Sequence, residues 1–377
     1  MVTSRSKGAS KPKSAVTENR KVDHLRICLE RDVQSLTPTG LEDIRLIHAA
    51  APEINLDDVD IRCTFLGHKL HGPLMVTAIT GGVAEATPIN RNIAEAVEEL
   101  GLAMGVGSQR AAIEDAALAD SFAVARQAAP TAFLVGNIGA AQLSSGYGIA
   151  EVKTAIAMIK ANALAVHFNA AQEAVQPEGE ASFAGVLQAL KVIANKATVP
   201  IIAKETGAGI SREIAMKLAD VGVKALDVAG LGGTSWPAVE AERARAEDSR
   251  KVTLGRWFTD WGIPTAACTV EAARAVKIPV VASGGIRTGI DLAKAIALGA
   301  TLGGVALPVL APATQSAGLV REYLETLLHG LKATMFLVGA KTLEELAHAP
   351  LVIGGATRAW LELRGYDLRE LATRQIH

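Results

Sequence analysis

The sequence predicts an α/β fold: one TIM-type (β/α)8 barrel, with an N-terminal arm before it and C-terminal helices after it. Three observations carry that expectation. Eight aliphatic runs recur, most of them roughly 25 to 36 residues apart, the length of a strand–helix unit. Stretches with a 3.6-residue apolar period lie between most of the runs. Polar residues gather at the C-terminal ends of the runs, where such a barrel collects its βα loops. Strand and helix alternating in this way favour a closed barrel over the alternative, an open doubly wound sheet.

Residues 1–18 (MVTSRSKGASKPKSAVTE) are rich in Ser, Lys and Gly and hold no apolar segment, so they read as a disordered arm and not as a secretory signal; an organelle transit peptide is the alternative, disfavoured because an alternating apolar face is lacking. Residues 19–72 form a second unit, in which 40–72 read as a short helix and irregular strands capping the barrel bottom. Residues 73–377 are the barrel with its C-terminal helices. The expected strands are Pro73 to Thr80, Ala103 to Gln109, Ala132 to Gly139, Ala163 to Asn169, Val199 to Thr206, Ala225 to Leu231, Ile278 to Ile286 and Gly303 to Leu310. Their continuous aliphatic character suits parallel strands buried on both faces. In Asn90 to Leu100, Ile93, Val97 and Leu100 share one helix face and Glu95, Glu98 and Glu99 point away. Ser211 is an N-cap for Arg212 to Val221, which Gly222 ends. The interval Gly232 to Lys277 is longer, and its charged part, AERARAEDSRK, predicts an extended, mobile loop after the sixth strand. Gln315 to Ala340 and Thr342 to Ala347 read as helices, with Gly354 and Gly355 ending that region.

Composition narrows the class. Of 377 residues, 49% are hydrophobic but only 4% aromatic, so Ala, Val, Ile and Leu must fill the core. A chain of this length buries enough apolar surface to need no disulfide or metal staple. A net charge of −1 gives no bulk attraction for nucleic acid or an anionic membrane. Cys28, Cys63 and Cys268 are far apart and fit neither a metal nor a redox spacing, which points to a reducing cytoplasm. No apolar run approaches the roughly 18 residues of a membrane helix.

The chemistry sits at the strand ends. They carry Thr80-Gly81-Gly82, Ser108-Gln109-Arg110, Asn137, His167 with Asn169, Lys204 with Glu205, and Gly232-Gly233-Thr234-Ser235. Any one could be a satisfied core residue, but a run of buried strands that all end in polar groups implies something polar beyond them. Ser283-Gly284-Gly285-Ile286-Arg287-Thr288-Gly289, followed by a helix from Asp291 to Leu298, specifies phosphate: glycines let backbone N–H groups approach, and the helix N-terminus favours an anion. Ala306 and Leu307 would complete the cradle. Lys204 fits a Schiff-base amine, a phosphate contact or a partner for an electron-rich ring, and the residues alone leave this open. The loop from His167 to Glu180 packs imidazole, amides and carboxylates together, and Glu173 suits Mg²⁺, which pairs one or two carboxylates with substrate phosphates. Arg20, Lys21 and His24 fall on one turn and could grip a diphosphate.

From Asn19 to about Gly355 the chain resembles the type 2 isopentenyl-diphosphate isomerases, which use FMN on a β/α barrel. The resemblance rests on NRKVDH (19–24), TGG with INRN (89–92), MGVGSQR (104–110), HFNAAQEAVQPEGE (167–180), AGLGGTSW (229–236), DWGIPT (260–265) and SGGIRTG (283–289). It implies that Arg20, Lys21 and His24, helped by Ser108, Gln109 and Arg110, bind a diphosphate. It implies flavin contacts from Ala78, Ile79, Thr80, Ser108, Asn137, Lys204 and Thr234, with the flavin phosphate on Gly285, Ile286, Arg287, Ala306 and Leu307. His167, Asn169 and Gln172 are implied as the catalytic and substrate-site residues, Gln172 orienting or relaying a proton, and Glu173 as the Mg²⁺ ligand. Trp236 and Glu240 fall near the flexible loop. The implied reaction moves a double bond between isopentenyl and dimethylallyl diphosphate, with NADPH serving only to reduce the flavin. A homo-oligomer, tetramer or octamer, is implied as well. Two departures stand out: Ala229 where members often have Ser, and Phe168-Asn169-Ala170 where many have Leu-Asn-Pro. The rivals are an FMN oxidoreductase of the hydroxy-acid type and a non-catalytic flavin-binding sensor. Against the first, Ser283-Gly284 stands after the seventh strand in place of a His flanked by Arg.

Overall fold

Eight short parallel strands close on themselves, so the central sheet has no edge. The computed structural model describes residues 13–176, 178–179, 181–244 and 248–376. The barrel strands are β1 (Leu74–Val76), β2 (Ala103–Gly105), β3 (Phe133–Gly139), β4 (Ala163–Phe168), β5 (Ile201–Glu205), β6 (Ala225–Asp227), β7 (Val280–Ser283) and β8 (Leu302–Val305), in sequence order around the ring. Each lies within or beside its expected run but is shorter, because closure needs only a few ladder pairs per strand. The last run divides. Gly303–Val305 joins the ladder, whereas Leu307–Ala313 is helical, with Pro308 in a first turn that needs no N–H donor from it.

Besides three five-residue helices (Arg110–Glu114, Ala140–Ser144 and Arg369–Thr373), the described helices in chain order are α1 (Lys13–Glu30), α2 (Ala86–Leu100), α3 (Asp120–Ala128), α4 (Ile149–Ile159), α5 (Ala170–Val175), α6 (Val186–Lys196), α7 (Arg212–Asp220), α8 (Trp236–Ala244), α9 (Ser249–Trp257), α10 (Thr265–Ala275), α11 (Gly289–Ala297), α12 (Leu307–Ala313), α13 (Ala317–Val338), α14 (Leu343–Ala347) and α15 (Gly355–Leu363). On α2, Ile93 and Val97 are fully buried, as the periodicity requires. Ser211 caps α7 by accepting from the Ile214 N–H.

Three sequence readings are corrected. The interval after β6 is not an extended loop; α8, α9 and α10 fill most of it. Val239 of α8 packs on Ile27 and Val33, and Asp248 caps α9, so Glu242 and Arg243 on α8 and Arg250 and Lys251 on α9 are helical rather than loop. Of that run, 245–247 lie outside the described residues. The expected N-terminal arm runs into α1: residues 1–12 lie outside the described residues, but 13–18 (KSAVTE), free of glycine and proline, are the first turns of the helix. Gly354 and Gly355 do not end the C-terminal helical region; after the short strand Leu351–Ile353 they open α15.

The hairpin Cys63–Phe65/His68–Leu70 plugs the barrel bottom, where Phe65 and Leu70 pack on Met75, Phe133 and Val281. Ile44–Leu46 pairs with Leu351–Ile353, joining the segment before the barrel to the one after it.

Behind α15 lies a buried charge. Glu271 of α10 accepts from Arg364 Nε (2.9 Å), Trp360 Nε1 (3.0 Å) and the Arg212 N–H (2.8 Å). Burial opposes its ionisation, but these donors outweigh that and hold the carboxyl below its usual value. A carboxyl depressed in the folded state stabilises at pH above its unfolded value, and that contribution is lost as pH falls through the folded one. Glu271→Gln is expected to lose about 1–3 kcal/mol in urea unfolding near neutral pH, with the gap to wild type closing on acidification below about pH 4.

Candidate active site

At the C-terminal ends of the strands, roofed by α1, a cavity of about 230 Å³ opens, against about 20 Å³ for the space inside the barrel beneath it. Its named polar groups reach it from strand tips, from the βα segments that follow them (α5 and α8 included) or from α1.

At one end the loop after β7 turns through Gly284 (φ 102°) and Gly285 (φ 80°). A Cβ on Gly284 would sit 2.1 Å from the Gly230 carbonyl oxygen, and one on Gly285 2.4 Å from that of Gly232, so this wall admits only glycine. The Thr265 hydroxyl donates to Gly284 O at 2.6 Å and pins the turn. Thr288 caps α11 in a capping box with Asp291. Arg287 lines the cavity, donating to Ile286 O (3.0 Å) and to Gln34 Oε1 (2.8 Å). Ala306 and Leu307 lie alongside, whereas the Ile286 side chain is in the core and leaves only its backbone for a ligand.

The middle of the cavity is lined by Ala78, Ile79, Thr80, Ser108, Asn137, Lys204 and Thr234. Asn137 Nδ2 donates to Val106 O (3.1 Å), and its Oδ1 is 2.9 Å from His167 Nδ1. Burial, reinforced by the Lys204 charge, pushes the His167 pKa down to about 3, so the imidazole is neutral. Lys204 Nζ donates to Glu205 O (2.5 Å) and lies 3.6 Å from Asp227 Oδ2, while Asp227 accepts from the Ser283 hydroxyl. Ala229 is on the wall in left-handed backbone (φ 36°).

The far end is built by α1, α5 and α8. Arg20, Lys21 and His24 face the cavity from α1. Lys21 Nζ donates to Gly81 O and to Ser108 O (2.8 Å) and sits 5.1 Å from the Phe122 ring centroid. Burial, with Arg20 beside it, lowers its pKa to about 7. From α5 and its approach, Asn169 Nδ2 donates to Gln172 Oε1 (3.1 Å) and Glu173 Oε1 (2.9 Å), and Gln176 Nε2 donates to Glu173 Oε2. Asn169 Oδ1 is buried with no protein partner. Glu240 of α8 is 1% exposed; its Oε1 accepts from Gln172 Nε2 (2.8 Å) and lies 2.9 Å from His24 Nε2. Burial would raise its pKa, but His24, Arg243 and Gln172 bring it down to about 2. Trp236 meets the His24 ring edge-on, with centroids 5.1 Å apart.

A family profile described as "FMN-dependent dehydrogenase" matches residues 36–352. An isopentenyl-diphosphate delta-isomerase from Metallosphaera sedula is 51% identical over 352 residues, 93% of this chain and 96% of that protein. One from Archaeoglobus fulgidus is 49% identical over 349 residues, 93% of this chain and 99% of that protein. The chain belongs to the isopentenyl-diphosphate delta-isomerase family. Like its relatives it is an isomerase, built on the barrel of the FMN-dependent dehydrogenases. Solved structures share the fold at low identity: a lactate oxidase from Pediococcus acidilactici has a TM-score of 0.64 at 18% identity, covering 91% of this chain and 93% of that one.

Among the residues expected in this isomerase site, two turn their side chains away: Ile286, noted above, and Gln109. Gln109 is fully buried; its Oε1 accepts from the Asn137 N–H and its Nε2 donates to Ala155 O, so it stitches β3 to α4 and presents nothing to a ligand. Its neighbours Ser108 and Arg110 do line the cavity. Ala170 is the first residue of α5, a position that takes proline or alanine alike, so the departure there leaves the polar residues in place. Pro177 and Glu180 of the same loop lie outside the described residues. The sequence reading missed Asp227, whose signal was an acid inside the aliphatic run ALDVAGL, and Gln142 and Gln176, which line the cavity. It also missed Arg243, taken as part of a charged loop.

Gly284→Ala is expected to cost about 2 kcal/mol or more in thermal unfolding, since it adds both a clash with backbone and a strained φ. The control Gly318→Ala, with room for a Cβ early in α13, is expected to be neutral or stabilising by up to about 1 kcal/mol.

Proposed function

We propose that the cavity binds FMN and, with the flavin reduced and Mg²⁺ present, interconverts isopentenyl and dimethylallyl diphosphate. The observation that carries this is one pocket with a glycine-only cradle and Arg287 at one end and Arg20, Lys21 and His24 at the other, a strand-tip wall between them. The cradle of Gly285, the Ile286 backbone, Arg287, Ala306 and Leu307 fits the flavin phosphate, and Ala78, Ile79, Thr80, Ser108, Asn137, Lys204 and Thr234 fit its ring. When bound, reduced flavin supplies a ring that can exchange a proton with an alkene and offset transient positive charge, chemistry that side chains perform poorly.

The chain's own residues hold the substrate. Arg20, Lys21, His24, Ser108 and Arg110 offer the donors a diphosphate needs. Glu173 lines the cavity and would offer Mg²⁺ one carboxylate ligand, with diphosphate oxygens and water supplying the others. The orphaned Asn169 Oδ1 awaits a donor from this ligand set. Neutral His167 and Gln172 position the proton, Gln172 passing or orienting it with Glu240 behind. NADPH reduces the flavin and takes no part in the net reaction. We also infer a homo-oligomer, tetramer or octamer, supported by the exposed Trp257, Trp261 and Leu36, and a cytoplasmic setting, supported by three free thiols. No described helix is long and apolar enough to cross a membrane.

The test is incubation of FMN-loaded protein with isopentenyl diphosphate, Mg²⁺ and NADPH in heavy water. Deuterated dimethylallyl diphosphate is expected, without stoichiometric loss of NADPH; nicotinamide consumed in step with product would instead indicate the oxidoreductase reading, and flavin bound without exchange the sensor.

Lys21 also sets a pH dependence. Its folded pKa is about 7, below the ordinary lysine value of 10.5, so in free enzyme the cation is present below that pH and lost above it. The kcat/KM for the diphosphate is therefore expected to fall as pH rises through about 7 to 8, and Lys21→Met to lose roughly ten-fold or more at pH 6 and to flatten that limb.

A further inference from the structure

Glu240 and Arg243 lie one turn apart on α8, and both are nearly buried, with side-chain exposures of 1% and 9%. Arg243 Nε donates to Glu240 Oε2 at 2.8 Å. The other edge of the same guanidinium donates through Nη1 (2.9 Å) and Nη2 to the two oxygens of Glu178, in the segment after α5. One planar fork thus joins two carboxylates from loops that start on different strands, β4 and β6. Both oxygens of Glu240 are engaged: Arg243 holds Oε2, leaving Oε1 to Gln172 and His24.

This arrangement is demanding. A carboxylate as buried as Glu240 is stable as an anion only when paired and hydrogen-bonded. As an anion it can only accept, which forces the Gln172 amide to present its Nε2 to Glu240 and its Oε1 to Asn169. If Glu240 were protonated or swung away, the orientation of Gln172 would no longer be dictated. Lysine could keep the charge but not the three-donor fork.

We propose that Arg243 is a positioning residue that clamps the loop after β4 to the helix after β6 and, through Glu240, sets the orientation of Gln172. It touches neither ligand nor cofactor site directly. The proposal rests on the isomerase reading given above for the role of Gln172, but the clamp itself does not.

The experiment uses FMN-loaded, full-length enzyme with Arg243→Met, Arg243→Lys, Glu178→Gln, Glu240→Gln and the Arg243→Met/Glu240→Gln pair. Backbone hydrogen exchange over 169–176 reports the clamp; kcat and KM for isopentenyl diphosphate report the positioning. Arg243→Met is expected to speed exchange in that segment and to lower kcat by about ten-fold or more, with KM changed less. Arg243→Lys should fall between it and wild type. Once Glu240 is already Gln, adding Arg243→Met should change kcat little, because the two act in series. Glu178→Gln should free the loop while keeping the Arg243–Glu240 contact, so exchange rises and kcat falls less; this variant and Arg243→Lys serve if Arg243→Met does not fold. Wild-type exchange in all three Arg243 and Glu178 variants, or additive effects in the pair, would overturn the proposal. A wild-type enzyme that leaves isopentenyl diphosphate unchanged would sink the isomerase reading instead, and the exchange data would still decide the clamp.

Discussion

A strand sheathed by side chains on both faces has no water to fall back on, so each of its backbone N–H and C=O groups must find a partner on a neighbouring strand. Closing eight such strands into a ring satisfies that requirement without leaving an edge. The same closure dictates where polar chemistry can go. Inside the wall only aliphatic groups and a few paired polar ones are tolerated, so ligand-binding groups crowd the strand tips, where the helices diverge. Asn137, His167, Lys204 and Asp227 mark the boundary: each is a polar group at a strand tip held by a neighbour on, or just past the end of, an adjacent strand.

The cavity above that boundary brings opposite charges to opposite jobs. Arg20, Lys21 and His24 converge from α1, and Glu173 and Glu240 answer from the loops after β4 and β6. Burial makes each charge costly, and the structure offsets the cost in different ways. Glu240 stays ionised because three donors surround it. Glu173 has an amide on each oxygen. Lys21 has two carbonyls and an aromatic face but, among the described residues, no paired carboxylate, so burial and Arg20 prevail and its proton is weakly held. A cation poised in this way is ready for an anionic ligand.

The N-terminal segment is tied to the opposite end of the cavity. After α1 the chain pairs with the loop beyond β6, through Ser35 N–H to Gly233 O and Ser235 N–H to Val33 O, both 2.8 Å, while Arg287 reaches over to Gln34. The helix that carries Arg20, Lys21 and His24 is therefore strapped to the loops after β6 and β7 at the glycine-lined end of the cavity. Asp260 holds the strap from its outer side, accepting from the Ser35 hydroxyl at 2.7 Å and the Thr37 N–H at 2.8 Å.

Much of this was legible along the chain because it depends on local rules. Aliphatic runs and a 3.6 period are properties of neighbouring residues, so the eight strands and the apolar face of α2 could be read directly. Glycines at 284 and 285 announced a close backbone approach, and the amide-rich stretch from His167 announced a polar loop. Charge runs were less informative, since AERARAEDSRK describes a helix surface as well as a loop. What the sequence determined by itself was thus the barrel, its strand tips and the residue types gathered there. Tertiary structure alone decided which of two adjacent tip residues faces the cavity, as Ser108 does and Gln109 does not. It alone decided that Glu240 meets His24, 216 residues away, and that Arg243 meets Glu178, 65 residues away. The physical reason is that such buried charges are stabilised by partners brought in by closure of the ring, and no local pattern encodes a contact between segments so far apart in the chain.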